Sequence, residues 1–169
     1  MAKRITGKLI KAPKSLVLFL CSGNTCRSPM AEMIFRDRLK QFGLKGIKAL
    51  SFGIQTFRGE PMDEMALTAL DDVGIKHDKS HKAKQLTLSW VDKADIMFCM
   101  TKSQKSLMWG FDNLRYIGDF LGGRDVPDPC GESQSDYDNT AGELVAAIDR
   151  IIEKIAANLK EKLAPWFGF

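Results

Sequence analysis

The run Cys21-Ser22-Gly23-Asn24-Thr25-Cys26-Arg27-Ser28-Pro29 separates a cysteine from an arginine by five residues and follows the arginine with a serine. A loop this short turns successive backbone N–H groups into one concavity. If it feeds a helix N-terminus, the first-turn amides and the macrodipole add to the same field. Such a concavity holds an anion, and the planar fork of Arg27 can grip two of its oxygens. The same donors favour thiolate over thiol at Cys21, and a thiolate beneath a bound phosphate is placed for in-line attack. Gly23 and Asn24 are residue types that tolerate crowded or left-handed backbone. Ser22, Thr25 and Cys26 complete the cradle, and Ser28 can donate to the sulfur and ease its departure.

A phosphate ester leaves poorly as a bare alkoxide or phenoxide, so a general acid should stand near the cradle. The turn-rich segment Arg124-Asp125-Val126-Pro127-Asp128-Pro129-Cys130-Gly131 offers two carboxylates. Asp128 lies between two prolines that fix its backbone, a suitable mount for a group that must be aimed. Asp-Pro alone is an ordinary turn, and a lone cysteine ending a strand is ordinarily a small core residue. The combination gives both a chemical reading. No Gly-x4-Gly-Lys-Ser/Thr motif occurs, and a zinc site built from Cys21, Cys26, His77 and His81 would need a wider separation than zinc fingers use.

These residues need a frame. Ser15–Leu20 is a short apolar run consistent with a strand buried on both faces, ending at Cys21. A helix is expected from Pro29 to Gly43, with Ala31, Ile34, Phe35, Leu39 and Phe42 at helical spacing. Further strands are expected at 47–51, 94–100 and 114–117, and further helices at 62–73, 86–93 and 102–109. A long closing helix is expected from Thr140 to Leu163, with Leu144, Ala147, Ile148, Ile151, Ile152, Ile155 and Leu159 on one stripe. Alternation of this kind predicts an α/β three-layer sandwich, a parallel sheet with helices on both faces. Ligands then bind at the carboxyl ends of strands, where Cys21 falls.

The 169 residues suit one domain over residues 15–169, with residues 1–14 read as a flexible extension because five basic side chains cluster there. The net charge of +4 is too mild and too dispersed for a nucleic-acid binder. No apolar run approaches the length of a membrane helix, and four cysteines are too few for a disulfide scaffold, which favours a cytoplasmic protein.

With the cysteine loop and Asp128-Pro129 together, the chain resembles the low-molecular-weight protein tyrosine phosphatases. The similarity extends to Ser51-Phe-Gly, Gly59-Glu-Pro-Met-Asp, Gly74-Ile, His81-Lys-Ala-Lys-Gln and Ala94-Asp-Ile. The resemblance implies a four-stranded parallel sheet, a phosphocysteine at Cys21, and Asp128 as acid and then base. It implies a network of Asn24, Ser28, Ser51 and His81 supporting the loop, and no metal or other cofactor. It also implies that Cys26 can form a disulfide with Cys21 on oxidation. The expected partners are phosphorylated proteins, small phosphomonoesters, and phosphate or related oxyanions, with the protein acting as a monomer.

Two positions bear on substrate. Tyrosine-specific members usually carry a bulkier aliphatic residue at Thr25 and aromatic residues where this chain has Cys130-Gly131. In both it resembles the bacterial branch that dephosphorylates protein arginine. Phe52, Phe57, Trp109 or Tyr137 are the aromatic residues available as a substitute wall, with Tyr137 favoured by its nearness to the Asp128 loop. Arsenate reductases share the loop but need two further cysteines a few residues apart, and Cys99 and Cys130 do not form such a pair. A non-catalytic phosphate-binding module should lack the nucleophile or the acid, and both are present.

Overall fold

A computed structural model describes residues 10–161 and Gly168. Four parallel strands, β1 (Ile10–Cys21), β2 (Leu44–Gly53), β3 (Ile96–Cys99) and β4 (Leu114–Tyr116), form a sheet in the order β2-β1-β3-β4. The helices are α1 (Arg27–Gln41), α2 (Glu64–Asp72), α3 (Leu88–Lys93), α4 (Lys102–Leu107) and α5 (Gln134–Lys160), with a 3₁₀ turn at Ile117–Leu121. This is the expected three-layer α/β sandwich.

Strand periodicity sorts the core into two layers. Val17, Phe19 and Cys21 face one side with α1, α2 and α5, while Leu18 and Leu20 face the other with α3 and α4. Phe19 anchors the thicker layer, stacking on Phe98 at 5.7 Å and meeting Phe35 edge-on at 5.3 Å. Because the chain moves from β1 to one neighbour and later returns to β3 on the other side, the carboxyl end of β1 is the topological switch point. Cys21 is its last residue.

Three boundaries depart from expectation. Ile10 to Lys14, expected in the extension of residues 1–14, belong to β1, where Ile10 pairs with Leu44 and Lys11 with Lys45. The register then shifts before Ser15, around Pro13, which has no N–H for the ladder. The lysines are tolerated because this end of β1 projects beyond β3, which pairs only from Val17 onward. Residues 1–9 lie outside the described residues, as do 162 and 163 at the expected end of the last helix. Helix α1 starts at Arg27, so Pro29 lies in its first turn, where no N–H is required. Helix α5 starts six residues early because Ser133 and Asp136 form a capping box that satisfies the first-turn amides.

Candidate active site

Six consecutive carbonyls in the loop after β1 have partners. Cys21 O accepts from Ile54 N at 2.8 Å, Ser22 O from Gln55 N at 3.1 Å, and Gly23 O from the Thr56 hydroxyl. Asn24 O accepts from His81 Nε2 at 2.9 Å, Thr25 O from Asp63 N at 3.0 Å, and Cys26 O from Met30 N at 3.1 Å, within α1. A planar trans peptide points its C=O and N–H in opposite directions. The first five carbonyls are tied outward to surrounding segments, so the N–H groups of residues 22–26 turn toward the loop's interior. The segment after β2 and the 81–84 segment therefore shape the anion cradle. Gly53 is required there: a Cβ would stand 2.7 Å from both Ser22 O and Thr56 Cβ.

Asn24 is the keystone. It is fully buried and is the one non-glycine residue among those described with positive φ, at 59°. Its Nδ2 donates to Ser28 Oγ at 2.9 Å, and its Oδ1 accepts from Lys84 N at 2.9 Å. Replacing it with alanine removes both bonds and leaves a Cβ residue in left-handed backbone without compensation. We expect Asn24→Ala to lower unfolding free energy by about 2–3 kcal/mol, measured by urea denaturation, and to lower turnover with it.

Ser28 accepts from Asn24, so its own proton is left for Cys21 Sγ, 3.0 Å away, or Phe52 O at 3.4 Å. Asn24 N donates to the same sulfur at 3.3 Å. The sulfur thus rests on two donors at the floor of a hollow of about 290 Å³, lined also by Ser22, Gly23, Thr25, Cys26 and Arg27 from the loop and by Asp128 and Cys130 opposite. Arg27 is almost fully buried and donates Nη2 to Asp128 Oδ2 at 2.5 Å. Asp128 is half exposed, and its Oδ1 accepts from Cys130 N at 3.3 Å. The acid loop is held just before Asp128, by Val126 N to Met100 O at 3.0 Å and by Thr140 Oγ1 to Pro127 O at 3.3 Å.

Asp125, the other carboxylate considered, is used elsewhere. It accepts from the Tyr116 hydroxyl at 2.5 Å and from Lys102 N at 2.9 Å, and these bonds hold its carboxyl below the usual range. It does not line the hollow.

The network around the loop differs from expectation at one member. Asn24, Ser28 and His81 are joined, but Ser51 donates to Glu32 Oε2 on α1 at 2.7 Å. Ser51 pairs with Phe19 and shares its face of the sheet, toward α1, whereas Asn24 turns toward His81 and Lys84. Ser51 therefore braces α1, the helix that the loop enters. The aromatic wall also differs. Tyr137 is 1% exposed and meets Cys26 Sγ at 3.7 Å beneath the loop, where burial pushes the pKa of its hydroxyl far above normal and keeps it neutral. Phe57 lines the hollow and is 80% exposed, whereas Phe52 is core and Trp109 lies outside the lining.

The remaining cysteines are distinct. Cys26 is buried and pushed up to about 11, so it is a thiol at neutral pH, while Cys130 is exposed at the lip. Cys99 is buried in β3, bonded to Arg115 O at 3.4 Å, and does not line the hollow. His77 meets Asp71 at 3.0 Å and His81 donates to Asn24, so neither joins the cysteines. Gln104 was not legible as a site residue: buried, it donates to Ser22 Oγ at 3.3 Å and accepts from Met100 N at 2.9 Å.

The chain belongs to the low molecular weight phosphotyrosine protein phosphatase family, whose model matches residues 16–164, and it is therefore a phosphoric monoester hydrolase. It is 41% identical over 157 residues to the low molecular weight protein-tyrosine-phosphatase YfkJ of Bacillus subtilis, covering 86% of this chain and 96% of that one. The YwlE arginine phosphatase from Geobacillus stearothermophilus superposes with a TM-score of 0.78 at 30% identity, covering 88% of this chain and 97% of that chain. A Cys-to-Ser variant of YwlE arginine phosphatase with a phosphorylated active-site serine superposes with a TM-score of 0.76 at 26% identity, covering 89% of this chain and 99% of that chain. Among the described residues no helix is long and apolar enough to cross a membrane.

Proposed function

We propose that this chain hydrolyses phosphorylated proteins through a phosphocysteine at Cys21, with phosphotyrosine as its substrate. The observation that carries the chemistry is the sulfur of Cys21 on two donors at the floor of an amide-lined hollow, with Arg27 and Asp128 paired above it. A phosphoryl group entering the hollow takes the amides of residues 22–26 and the guanidinium of Arg27. Asp128 then loses its partner and faces the leaving oxygen. Cys21 attacks phosphorus as the P–O ester bond breaks, and Asp128 gives its proton to the departing oxygen. In the second half, Asp128 takes a proton from water, that water attacks phosphorus, the P–S bond breaks, and Ser28 stabilises the released thiolate. Phosphate leaves. The phosphorylated serine of the YwlE variant supports covalent transfer to the side chain at this position.

Phe57 supports the tyrosine reading, because its exposed ring gives a phenol a face to pack against beside the cradle. A second reading, protein-arginine phosphatase, is favoured by the Thr25 hydroxyl in the lining and by Cys130 where an aromatic residue would otherwise wall the hollow. Parallel kinetics on phosphotyrosine and phosphoarginine peptides separate the two. Thr25→Ile should shift the kcat/KM ratio toward phosphotyrosine by roughly tenfold, the scale of one lost polar contact, and an unchanged ratio removes Thr25 as a selector. None of the four cysteines is in a disulfide, which supports a reducing, cytoplasmic setting.

A further inference from the structure

The two faces of the sheet are unequally covered. Helices α1, α2 and α5 close one face, while the other has only α3 and α4, of six residues each. Leu16 and Leu50 are left half-buried on that thinner face, in a groove of about 760 Å³ floored with Trp90 and rimmed by Lys14, Lys48 and Lys93. Leu50 and Trp90 also line a second hollow of about 640 Å³, rimmed by Arg58, Lys82 and Lys84. The two therefore adjoin at Leu50 and Trp90 and line one face of the sheet as a trough. Its upper end lies beside the catalytic mouth, because Arg58 directly follows Phe57, which lines the phosphate hollow.

The trough is apolar at its floor and positive at its rim. Among the described residues none of those six cations is paired with a carboxylate. Lys93 lies over the Trp90 ring and Lys84 over the Phe52 ring, each at 5.0 Å, so stacking holds both ammonium groups along the walls. The one carboxylate in the lining, Asp95, accepts from Leu16 N at 2.7 Å. A chain with a net charge of only +4 has gathered six cations beside one acid along a strip leading from its active site.

We infer that this trough docks an acidic, leucine- or aromatic-bearing stretch of the phosphorylated protein while its phosphoresidue occupies the cradle. The inference rests on the phosphatase reading above. Apolar side chains of the bound stretch cover Leu16, Leu50 and Trp90, and its carboxylates meet the lysine rim, so the trough selects among phosphoproteins without touching the reacting atoms.

Two phosphotyrosine peptides, identical around the phosphotyrosine, test this: one extended by a Glu/Asp/Leu stretch, the other by a Ser/Gly stretch of equal length. The acidic peptide should have the lower KM at equal kcat. The double variant Lys48→Glu, Lys93→Glu should raise that KM roughly tenfold and leave p-nitrophenyl phosphate kinetics unchanged. The preference should vanish near ~1 M salt, where the screening length is about 3 Å. The milder Lys48→Gln, Lys93→Gln pair should move KM in the same direction by less. Anisotropy of a labelled, unphosphorylated acidic peptide reads the trough without catalysis. If it binds while p-nitrophenyl phosphate is not turned over, the phosphatase reading fails and the docking surface stands. Equal KM for the two peptides in the wild type, or no change in the variants, overturns the inference. Binding to phosphatidylserine vesicles without any peptide preference overturns it in favour of a membrane surface.

Discussion

Cys21→Ser abolishes steady-state turnover of p-nitrophenyl phosphate, by roughly 10⁴-fold or more, while inorganic phosphate and vanadate still bind. The two halves of that expectation have separate causes. Oxyanion binding draws on the N–H groups of residues 22–26 and on Arg27, and none of these is altered by exchanging sulfur for oxygen. Turnover needs an ionised nucleophile and a good leaving group. A serine hydroxyl supplies neither under the same two donors, Ser28 Oγ and Asn24 N. A phosphoryl group that does reach the serine should stay there. Isothermal titration with vanadate, alongside steady-state kinetics, checks both halves. Appreciable residual turnover would count against covalent catalysis, and lost vanadate binding would show that the substitution had collapsed the loop.

Asp128→Ala comes next in size, with kcat expected to fall by roughly 10²–10⁴. The variant also frees Arg27, whose Nη2 is bonded to Asp128 in the ligand-free site. Phosphate affinity should therefore hold or improve, because the anion no longer competes with a carboxylate for the guanidinium. A loss confined to kcat thus separates the acid role from a structural one. Asp125→Ala is the control. Its carboxyl ties Tyr116 to the start of α4, so the expected cost is in stability, with kcat much less affected. If Asp125→Ala had the larger effect on kcat, the acid would be misassigned.

What could be seen in the sequence was local. The run from Cys21 to Ser28 is contiguous and follows the apolar run Ser15–Leu20 directly, so strand, cradle and helix N-terminus could be inferred from neighbouring residues. Asp128 is about a hundred positions away, and only the loop's need for a general acid, with the family resemblance beside it, joined it to the loop. The outward ties of the loop's carbonyls come from Ile54, Gln55, Thr56, Asp63 and His81, mostly as backbone N–H groups or short polar side chains. Periodicity carries no trace of such bonds. Tyr137 shows why nearness along the chain misleads: the capping box at Ser133 starts α5 before it and turns its ring into the core. Phe57, on the loop after β2, reaches the lip because that loop is bonded to the cradle at Ser22 and Gly23. The charge of Lys11 and Lys14 points to an extension, although an exposed end of a central strand tolerates charge equally well.

The central claim is that the phosphoryl group passes through the sulfur of Cys21. Rapid acid quench of Asp128→Ala with p-nitrophenyl phosphate, followed by peptide mass analysis, tests it most directly, since hydrolysis of the intermediate also needs Asp128. One phosphoryl group should be found on the peptide carrying Cys21, formed in a burst of nitrophenol stoichiometric with enzyme and absent from Cys21→Ala. Nitrophenol release with no burst and no label on that peptide, or a label on another residue, would contradict the account.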